Sequence, residues 1–332
     1  MDKRRARPNL PAESGGQHAT KEETRVRIVV IGTGAMGSVY AGLLADAGLD
    51  VWAVDSWADH IEAIRRDGLR VSGASGDRVA RLQASTDARD AGPADLVIIA
   101  TKASGVEAAA EAARGILAPE GLVLTIQNGL GSAERVAAIV GKHRTLIGVV
   151  GGFGASMRAP GHAHHNGWEF LRLGEYDGGL SPRLEGVAEL WRKGGFRVLL
   201  FEDIHQLIWE KFICNVAFSG TCTLTGLTIG EVLADPGAWQ VASGCATEAH
   251  AVARAKGIRV DIDDPSAYVR AFGEKIPNAR PSMLLDHMAG RRSEIDVING
   301  SVPRVGAEVG VPTPVNATVV ALVRAREKAF PA

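Results

Sequence analysis

The chain has 332 residues, 46% of them hydrophobic, and a formal net charge of -1 at pH 7. This length suffices for two domains with buried cores, and the near-zero charge, without a basic run outside the N-terminus, argues against a nucleic-acid surface. The sequence has three cysteines, Cys214, Cys222 and Cys245, which form no disulfide framework and lack metal-ligand spacing, as is typical of a reducing cytoplasm. It has neither an apolar run long enough to span a membrane nor the apolar core of a signal peptide. We therefore expect a cytoplasmic protein.

Residues 1–24 are polar and charged, with several Pro and Gly residues. Such a composition buries too little apolar surface to offset the entropy lost on ordering the chain. We therefore expect a disordered N-terminal extension, and regular patterns begin at residue 25.

Residues 26–31 form a short β-branched run, which predicts a strand buried on both faces. Three glycines follow at the G-x-G-x-x-G spacing, and residues 36–47 then carry an apolar face at helical period. The first glycine permits the tight bend, the second lets a pyrophosphate approach the backbone, and the third lets the helix pack close to the strand. The predicted cofactor-binding residues of this turn are Gly32, Thr33, Gly34, Ala35, Met36 and Gly37.

A second strand is predicted at residues 51–54, and Asp55 ends it 18 residues after Gly37. A carboxylate at this distance accepts hydrogen bonds from the hydroxyls of an adenosine ribose. The glycine spacing alone is a weak signal in a chain with 40 glycines, so the interpretation depends on the strand, the helix and the acid together. The alternative is an ordinary glycine-rich turn between a strand and a helix.

Strand and helix patterns alternate up to residue 201. We predict helices at 60–66, 106–117 and 132–140, a hairpin-like segment at 68–87, strands at 95–101, 122–126, 145–150 and 196–201, and β structure within 151–174. This alternation is typical of an α/β domain with a Rossmann-type doubly wound sheet, which binds ligands at the carboxyl ends of its strands. Lys102 and Asn128 follow two of these strands, although a surface lysine and a turn asparagine explain them equally well.

Three histidines, His162, His164 and His165, lie in the predicted β segment. Two of them are separated by one residue, so they share one face of a strand. Because no Cys or carboxylate partner completes a ligand set, we predict no metal site and interpret them as exposed strand or loop histidines.

After Glu202 helical periods dominate, at residues 204–219, 238–256, 265–272, 293–309 and 315–329. We therefore predict two domains after the extension. A Rossmann-type dinucleotide-binding domain covers residues 25–201, and an all-helical domain covers residues 202–330.

Three segments are specific in combination: TIQNGLG at residues 125–131, WEKFICN at 209–215 and SMLLDHMAGRRSEIDVINGSV at 282–302. Together they resemble the ketopantoate reductase (2-dehydropantoate 2-reductase) family, and the resemblance covers all but the N-terminal extension. It implies a nicotinamide-dependent reduction of a 2-oxo acid to a D-type 2-hydroxy acid, in the cleft between a Rossmann domain and a helical domain. For ketopantoate itself, the reaction would belong to pantothenate biosynthesis.

The resemblance implies that Lys211 is the general acid that protonates the carbonyl oxygen as a hydride reaches the carbonyl carbon. An ammonium both donates the proton and stabilises the developing alkoxide. Asn215 lies four residues later on the same helix face and matches a substrate-binding asparagine. Ser282 matches a serine that contacts substrate. Without the family, Lys211 would be interpreted as a surface lysine of a helix.

The family also implies roles nearer the cofactor. Glu294 matches a glutamate at the nicotinamide end of the cofactor, and such an acid favours the protonated form of Lys211. Asn128 matches an asparagine at the junction of cofactor and substrate, and Lys102 matches a lysine near the cofactor. The alternative for Glu294 is an acid at a helix N-terminus after a Ser293 cap.

Two positions depart from the family pattern and leave the substrate open. Residues 219–224 read SGTCTL where the family usually has Asn-Pro-x-Thr-Ala-Leu, so the substrate-facing amide becomes the hydroxyl of Ser219. A further family asparagine falls at Ile229. Both changes remove polar contacts to the hydroxylated end of ketopantoate. A branched or aromatic 2-oxo acid, as for the NAD-dependent D-mandelate dehydrogenases of this family, is the alternative substrate.

The resemblance implies NAD(P)(H) as cofactor, and the residues after the second strand favour NAD. Members that use NADP place a basic residue there, whereas here Asp55 precedes Ser56, and a carboxylate repels the 2′-phosphate. Arg65 and Arg66 remain candidates for binding that phosphate.

Two further readings stay open. The changes at residues 219 and 229 fit a non-catalytic, dinucleotide-sensing protein. The residues that argue against this reading are the retained Lys211, Asn215, Ser282 and Glu294. A different β-hydroxyacid dehydrogenase shares the two-domain plan but lacks support from residues 209–215. The expected partners are a small 2-oxo acid and a second copy of the chain in a homodimer.

Overall fold

The computed structural model describes residues 26–151, 154–167 and 170–330, so the predicted extension at residues 1–24 lies outside the described residues. Within these ranges the strands are β1 (Arg27–Ile31), β2 (Asp50–Val54), β3 (Leu69–Gly73), β4 (Arg78–Ala80), β5 (Gln83–Ser85), β6 (Ala94–Ile99), β7 (Leu117–Thr125), β8 (Thr145–Val150), β9 (Gly154–Ala159), β10 (His162–Gly167), β11 (Phe170–Glu175) and β12 (Arg197–Leu200).

The helices begin with α1 (Ala35–Asp46), α2 (Ala58–Asp67), α3 (Val106–Ile116), α4 (Ser132–Val140) and α5 (Pro182–Lys193), all of which accompany strands. From Ile204 onward the described regular elements are all helical. They are α6 (Ile204–Thr225), α7 (Ile229–Ala234), α8 (Pro236–Ala255), α9 (Pro265–Lys275), α10 (Ser282–Met288), α11 (Ser301–Val309) and α12 (Pro314–Glu327). The predicted fold class, a Rossmann-type sheet followed by a helical region, is confirmed.

The main sheet has the strand order β5-β2-β1-β6-β7-β8-β11-β12. The first six strands are parallel, and β11 pairs antiparallel with β8 before β12 pairs parallel with β11. Strand order reverses between β1 and β6, because the chain runs from β1 outward in one direction and from β6 outward in the other. The crevice at their carboxyl ends is where a doubly wound sheet binds its ligand.

Both faces of this sheet are covered, which explains the continuous apolar runs of its strands. In β1, Ile28 and Val30 belong to the core on one face, and Val29 and Ile31 belong to the core on the other. The first core packs beneath α1 and α5, and the second packs beneath α3 and α4. The periodicity of two along each strand therefore supplies two cores from one sheet.

A smaller sheet with the order β4-β3-β10-β9 lies over α1. It joins the segment 69–80 to the segment 154–167, far apart in the sequence, through the parallel pair of β3 and β10. A Cβ atom at Gly42 of α1 would lie 2.6 Å from Val71 Cγ2, so this glycine sets how closely the helix approaches the sheet. Pairing between such distant segments has no short-range signal, and it was not predicted.

The predicted helix at residues 293–309 is wrong in its first half. Residues 294–300 form successive turns, and the helix α11 begins only at Ser301. The buried side chains of Ile295 and Ile298 produce a helical period without a continuous helix. A Cβ atom at Gly300 would lie 2.7 Å from Asp296 O, so the tight turn at this residue requires a glycine.

Three short or amphipathic helices, α5, α7 and α10, were not among the predicted elements. The helix predicted at residues 204–219 is also longer than expected. It continues through Gly220 and ends at Gly226, which adopts φ +76° and closes the helix in a left-handed cap.

The helical half has its own core, in which α6 is the central element. Trp209, Phe212 and Phe218 of this helix are buried against α8, α9 and the segments near residues 295–298 and 319–323. Asp203 opens the helix, because its Oδ1 accepts a hydrogen bond from Gln206 N at 3.0 Å. The two ends of α6 are therefore capped and most of its surface is buried, while Lys211 and Asn215 of the same helix line a cavity.

Candidate active site

The glycine turn has the geometry that its spacing predicts. Gly32 adopts φ +92°, and a Cβ atom there would lie 2.5 Å from Thr101 N. A Cβ atom at Gly37 would lie 2.0 Å from Gly32 O, so only glycine allows α1 to start this close to β1. At Gly34, by contrast, a Cβ atom would meet nothing within 4 Å. The middle glycine therefore borders open space at the N-terminus of α1, where a phosphate group fits.

The glycine turn is supported from behind by a buried hydrogen-bond chain. Ser38 Oγ donates to Thr33 O at 2.7 Å and lies 3.2 Å from His60 Nε2. Gly161 N donates to His60 Nδ1 at 2.9 Å, so Nε2 carries the hydrogen and donates to Ser38. Burial lowers the pKa of His60, against the opposing influence of Asp55 and the Thr33 backbone. A neutral His60 thus links the turn to the smaller sheet, and neither His60 nor Ser38 was predicted as a site residue.

Asp55 follows β2 at the carboxyl edge of the sheet. Its Oδ1 accepts from Trp57 N at 3.0 Å, and its backbone N–H donates to Ser85 O. Arg65 Nε donates to Ala84 O at 2.7 Å, and Arg66 pairs with Asp67 at 2.7 Å. Both arginines therefore already have partners of their own.

Lys211 projects from α6 toward the ends of β7 and β8. Its Nζ donates to Asn128 Oδ1 at 3.0 Å and to Val150 O. Both acceptors are carbonyl oxygens, which match the donor character of an ammonium. Gln127, beside Asn128, donates to Ile99 O at 2.7 Å and so joins the end of β7 to the end of β6. The structure thus brings Lys211 to the carboxyl edge of the sheet, next to Asn128.

Asn215 lies one helical turn after Lys211, and both residues line the same cavity as Asn128. Apolar side chains of α6, including Trp209 and Phe212, form part of its wall. The cavity combines amide and ammonium groups with apolar surface, which is the usual composition of a small-molecule site.

Glu294 reaches the same edge of the sheet from the turn segment before α11. Its Oε1 accepts from Ala103 N at 3.1 Å, just after β6, and its Oε2 lies 3.6 Å from Lys102 Nζ. Lys102 also lies 3.6 Å from Asp286 of α10, which in turn pairs with Arg291 at 2.7 Å. Glu294 begins a series of turns, and the helix α11 starts only at Ser301, so the alternative of an acid at a helix N-terminus after a Ser293 cap is wrong. Asp286 is a further charged residue of this edge that was not predicted.

Two predicted substrate-binding residues lie outside this group. Ser219 is buried within α6, two turns after Lys211, and Ser282 is exposed at the start of α10. Neither is among the described residues that line the cavity around Lys211. Ile229 is buried at the start of α7 and points toward α9, since a Cβ atom at Gly273 would lie 3.0 Å from its Cγ2.

The expectation that the histidines of β10 are exposed is wrong, because His165 is fully buried and His162 and His164 are partly buried. His162 Nε2 and His164 Nδ1 lie 2.9 and 3.2 Å from Ser72 Oγ on one face of the smaller sheet. The cysteines Cys214, Cys222 and Cys245 are free and buried, and burial raises the pKa of each thiol. Over residues 26–151, 154–167 and 170–330, no group of three or more His, Cys, Asp or Glu residues has the arrangement of a metal site. Over the same ranges, no helix is long and apolar enough to cross a bilayer.

Comparisons with known proteins match almost the whole described chain. The family model for ketopantoate reductase PanE/ApbA matches residues 28–178, and the model for its C-terminal region matches residues 203–327. The chain is 33% identical over 301 residues to the 2-dehydropantoate 2-reductase of Archaeoglobus fulgidus, an alignment that covers 91% of this chain and 98% of that protein.

Solved structures similar to this chain include a ketopantoate reductase and a D-mandelate dehydrogenase. The structure of a PanE/ApbA family ketopantoate reductase from Ralstonia eutropha superposes with a TM-score of 0.83 at 31% identity, over 91% of this chain and 99% of that one. A D-mandelate dehydrogenase in a ternary complex with NADH and anilino(oxo)acetate superposes with a TM-score of 0.81 at 26% identity, over 91% of this chain and 99% of that one.

Proposed function

The chain belongs to the ketopantoate reductase family, and on this premise we propose that it reduces a 2-oxo acid to a 2-hydroxy acid with a nicotinamide cofactor. It is an oxidoreductase that acts on CH–OH groups, as its relatives named 2-dehydropantoate 2-reductase are. The observation that carries the proposal is the hydrogen bond of 3.0 Å between Lys211 Nζ and Asn128 Oδ1. It joins a helix of one half to the sheet edge of the other, at the mouth of a dinucleotide crevice.

The residues of the crevice fit a dinucleotide. Gly34 borders open space at the N-terminus of α1, whose first N–H groups have no side-chain cap. Such N–H groups hold a pyrophosphate, Asp55 would accept the ribose hydroxyls, and Lys102 and Glu294 would hold the nicotinamide end. When bound, the reduced nicotinamide supplies the hydride for the reaction.

Lys211 supplies the proton. In the absence of substrate, its ammonium donates to Asn128 Oδ1 and Val150 O. A substrate carbonyl oxygen that replaces one of these acceptors receives the proton from Nζ as the carbonyl carbon receives the hydride, and solvent then reprotonates Lys211. Asn215, on the same helix face, would orient the 2-oxo acid by hydrogen bonding. Until the proton is transferred, the ammonium stabilises the negative charge that develops on the carbonyl oxygen.

Two observations support NAD over NADP. Asp55 follows β2, where a 2′-phosphate would meet its carboxylate. Arg65 and Arg66 already donate to Ala84 O and Asp67. We therefore expect a higher kcat/KM with NADH than with NADPH. In Asp55→Ala the loss of the repulsion should narrow this ratio by roughly tenfold. Asp59→Ala, one turn further on an exposed face of α2, is the matched control and should leave the ratio unchanged.

A second candidate is reduction of a branched or aromatic 2-oxo acid in place of ketopantoate. Ser219 and Ile229 replace family amides, and neither side chain supplies an amide to the hydroxylated end of ketopantoate. The likeness to a D-mandelate dehydrogenase supports the same reading.

The test is a steady-state panel of ketopantoate, 2-oxoisovalerate and phenylglyoxylate, each with NADH and with NADPH. Highest kcat/KM with ketopantoate supports the pantothenate reaction, and highest kcat/KM with either other acid supports the second candidate. Cofactor binding without turnover of any 2-oxo acid would contradict both and would favour a dinucleotide-sensing protein.

A further inference from the structure

The segment that carries Glu294 is not part of a helix or a strand. Residues 294–300 form turns, and the carboxylate of Glu294 must nevertheless reach Ala103 N, 191 residues earlier in the chain, at 3.1 Å. Within the segment, Val297 N and Ile298 N both donate to Glu294 O, so they fix the residues that follow Glu294. The position of Glu294 therefore depends on what anchors the residues before it.

That anchor comes from the last helix. Glu327 Oε1, at the end of α12, accepts from Ser293 N at 2.7 Å and from Ser293 Oγ at 2.6 Å. The same oxygen accepts from His287 Nε2 of α10 at 3.0 Å. One carboxylate oxygen thus receives three hydrogen bonds and joins α10, α12 and the residue immediately before Glu294.

The anchor is buried and charged. The side chain of His287 is fully buried, and that of Glu327 is 10% exposed. Burial raises the pKa of Glu327, but the hydrogen bonds from Ser293 and His287 outweigh this and hold the pKa below its ordinary value. The ring of His287 packs edge-on against Phe330, with centroids 4.9 Å apart. A buried carboxylate with three donors is rigid, because any displacement leaves charge without its partners.

We propose that Glu327 is a positioning residue of the active site, which holds Ser293 so that Glu294 presents its carboxylate at the sheet edge beside Ala103 and Lys102. The inference rests on the proposed function, in which Glu294 holds the nicotinamide end of the cofactor. Glu327 acts through Ser293, from which its carboxylate accepts two hydrogen bonds. Its loss should therefore weaken cofactor binding through Glu294 and not merely destabilise α12.

The experiment measures the Kd of NADH by titration for wild type, Glu327→Ala, Glu327→Gln and Ser293→Ala. Glu327→Ala should raise the Kd roughly tenfold, the effect of losing hydrogen bonds to a charged acceptor. Glu327→Gln keeps an oxygen for Ser293 and should stay within about threefold of wild type, and Ser293→Ala, which loses one of two bonds, should fall between them. Glu308→Ala, on the exposed side of α11, is the control and should bind NADH as wild type does.

A double-mutant cycle separates positioning from general destabilisation. In a Glu294→Gln background, Glu327→Ala should add less than about a twofold further change in Kd, because its route to the cofactor is already removed. Equal effects of Glu327→Ala in both backgrounds, or a wild-type Kd for a folded Glu327→Ala protein, would overturn the proposal. If Glu327→Ala does not fold, Ser293→Ala provides the test. It should raise the Kd of NADH in the wild-type background and leave it nearly unchanged in the Glu294→Gln background, and an equal effect in both backgrounds would overturn the proposal. A wild-type protein that binds neither NADH nor NADPH would overturn the proposed function, and this inference with it.

Discussion

Lys211 illustrates how a single side chain gains a role from its surroundings. In the sequence it is a helical lysine like several others, whereas in the structure its Nζ contacts Asn128 Oδ1 and Val150 O at the ends of two strands. Those acceptors hold the ammonium at the crevice in the absence of substrate, which would reduce the reorganisation required for the proposed proton transfer.

Removal of this ammonium should affect turnover far more than cofactor binding. In Lys211→Ala we expect kcat to fall by roughly 10²–10⁴, the range for loss of a general acid, with the Kd of NADH nearly unchanged. Steady-state kinetics with the preferred 2-oxo acid and an NADH titration measure the two quantities. Lys193→Ala, an exposed lysine of α5, is the control. Near-wild-type turnover in Lys211→Ala would remove Lys211 from the mechanism.

His60 predicts a pH dependence of stability. Its Nδ1 accepts a hydrogen bond from Gly161 N, so protonation of Nδ1 would place an N–H group opposite another N–H group and break this bond. Burial lowers the pKa of His60 from the ordinary value of 6.5. Because the unfolded chain binds this proton more readily than the folded protein, the free energy of unfolding should fall as pH drops through about 6.5.

Denaturant unfolding at about pH 7.5 and about pH 5.5 tests this expectation. The loss of stability between the two should be smaller in His60→Gln than in wild type. Part of it should remain, because burial also lowers the pKa of His165. An equal loss in both proteins would show that His60 does not contribute.

Residue-level prediction from the sequence succeeded where local chemistry is decisive. The glycine turn was predicted because each glycine meets a steric need visible in a short window, as the 2.0 Å approach at Gly37 illustrates. Asn128 was singled out by its place after a strand, but Lys211 and the pairing of the two came from the family resemblance, since 83 residues separate them and no short-range pattern joins them. His60, Ser38, Asp286 and Glu327 were missed because their partners lie on other elements.

At the scale of elements, α6 is the helix on which the candidate site depends. It carries Lys211 and Asn215 toward the sheet, and it crosses α12 at Gly220. A Cβ atom at Gly220 would lie 2.3 Å from Val319 Cγ1 and 2.9 Å from Asn299 Oδ1. Asn299 itself donates to Val216 O at 2.9 Å and so fixes α6 beside Asn215.

Gly220→Ala should therefore destabilise the protein although alanine is the better helix former. Overpacking costs about 1–3 kcal/mol, and the gain in helix propensity is about 1 kcal/mol. Gly186→Ala in α5 is the matched control, because a Cβ atom there meets nothing within 4 Å. That variant should gain about 0.5–1 kcal/mol. Denaturant unfolding measures both variants, and a Gly220→Ala protein as stable as Gly186→Ala would contradict the proposed close crossing of α6 and α12.

Elements with strong periods were predicted well, and the failures have physical causes. Strands such as β1 and β6 are buried on both faces, so their apolar runs identify them without knowledge of their partners. The sequence of residues 294–300 has a helical period because Ile295 and Ile298 are buried. The segment nevertheless forms turns, and the preceding Ser293 N donates its hydrogen bond to the Glu327 carboxylate instead of to a helical carbonyl. The smaller sheet depends on a pairing of β3 with β10 that only the folded chain creates.

At the scale of the whole molecule, contacts at the carboxyl edge of the main sheet join the sheet-containing half of the chain to the helical half. Lys211 contacts Asn128, Glu294 contacts Ala103, and Leu130 N donates to Val297 O at 3.1 Å. The proposed cofactor site uses residues of both halves, so a bound dinucleotide should stabilise them together.

Thermal unfolding tests this coupling. At a free NADH concentration of about 100 times its Kd, the folded state gains about 2.7 kcal/mol, which should raise Tm by a few degrees in one transition. NADPH at the same concentration should raise it less, because of Asp55. Calorimetry that resolved two transitions, only one of which moved with NADH, would show that the dinucleotide contacts one half alone.

The central claim is that the glycine turn and Lys211 face one crevice that holds a dinucleotide and a 2-oxo acid together. A crystal structure with NADH and an unreactive 2-oxo acid analogue measures this directly. We expect the pyrophosphate against Gly34 and Lys211 Nζ about 3 Å from the keto oxygen of the analogue, within hydrogen-bonding reach. A complex in which Lys211 points to solvent, or in which the nicotinamide lies far from its Nζ, would contradict the account.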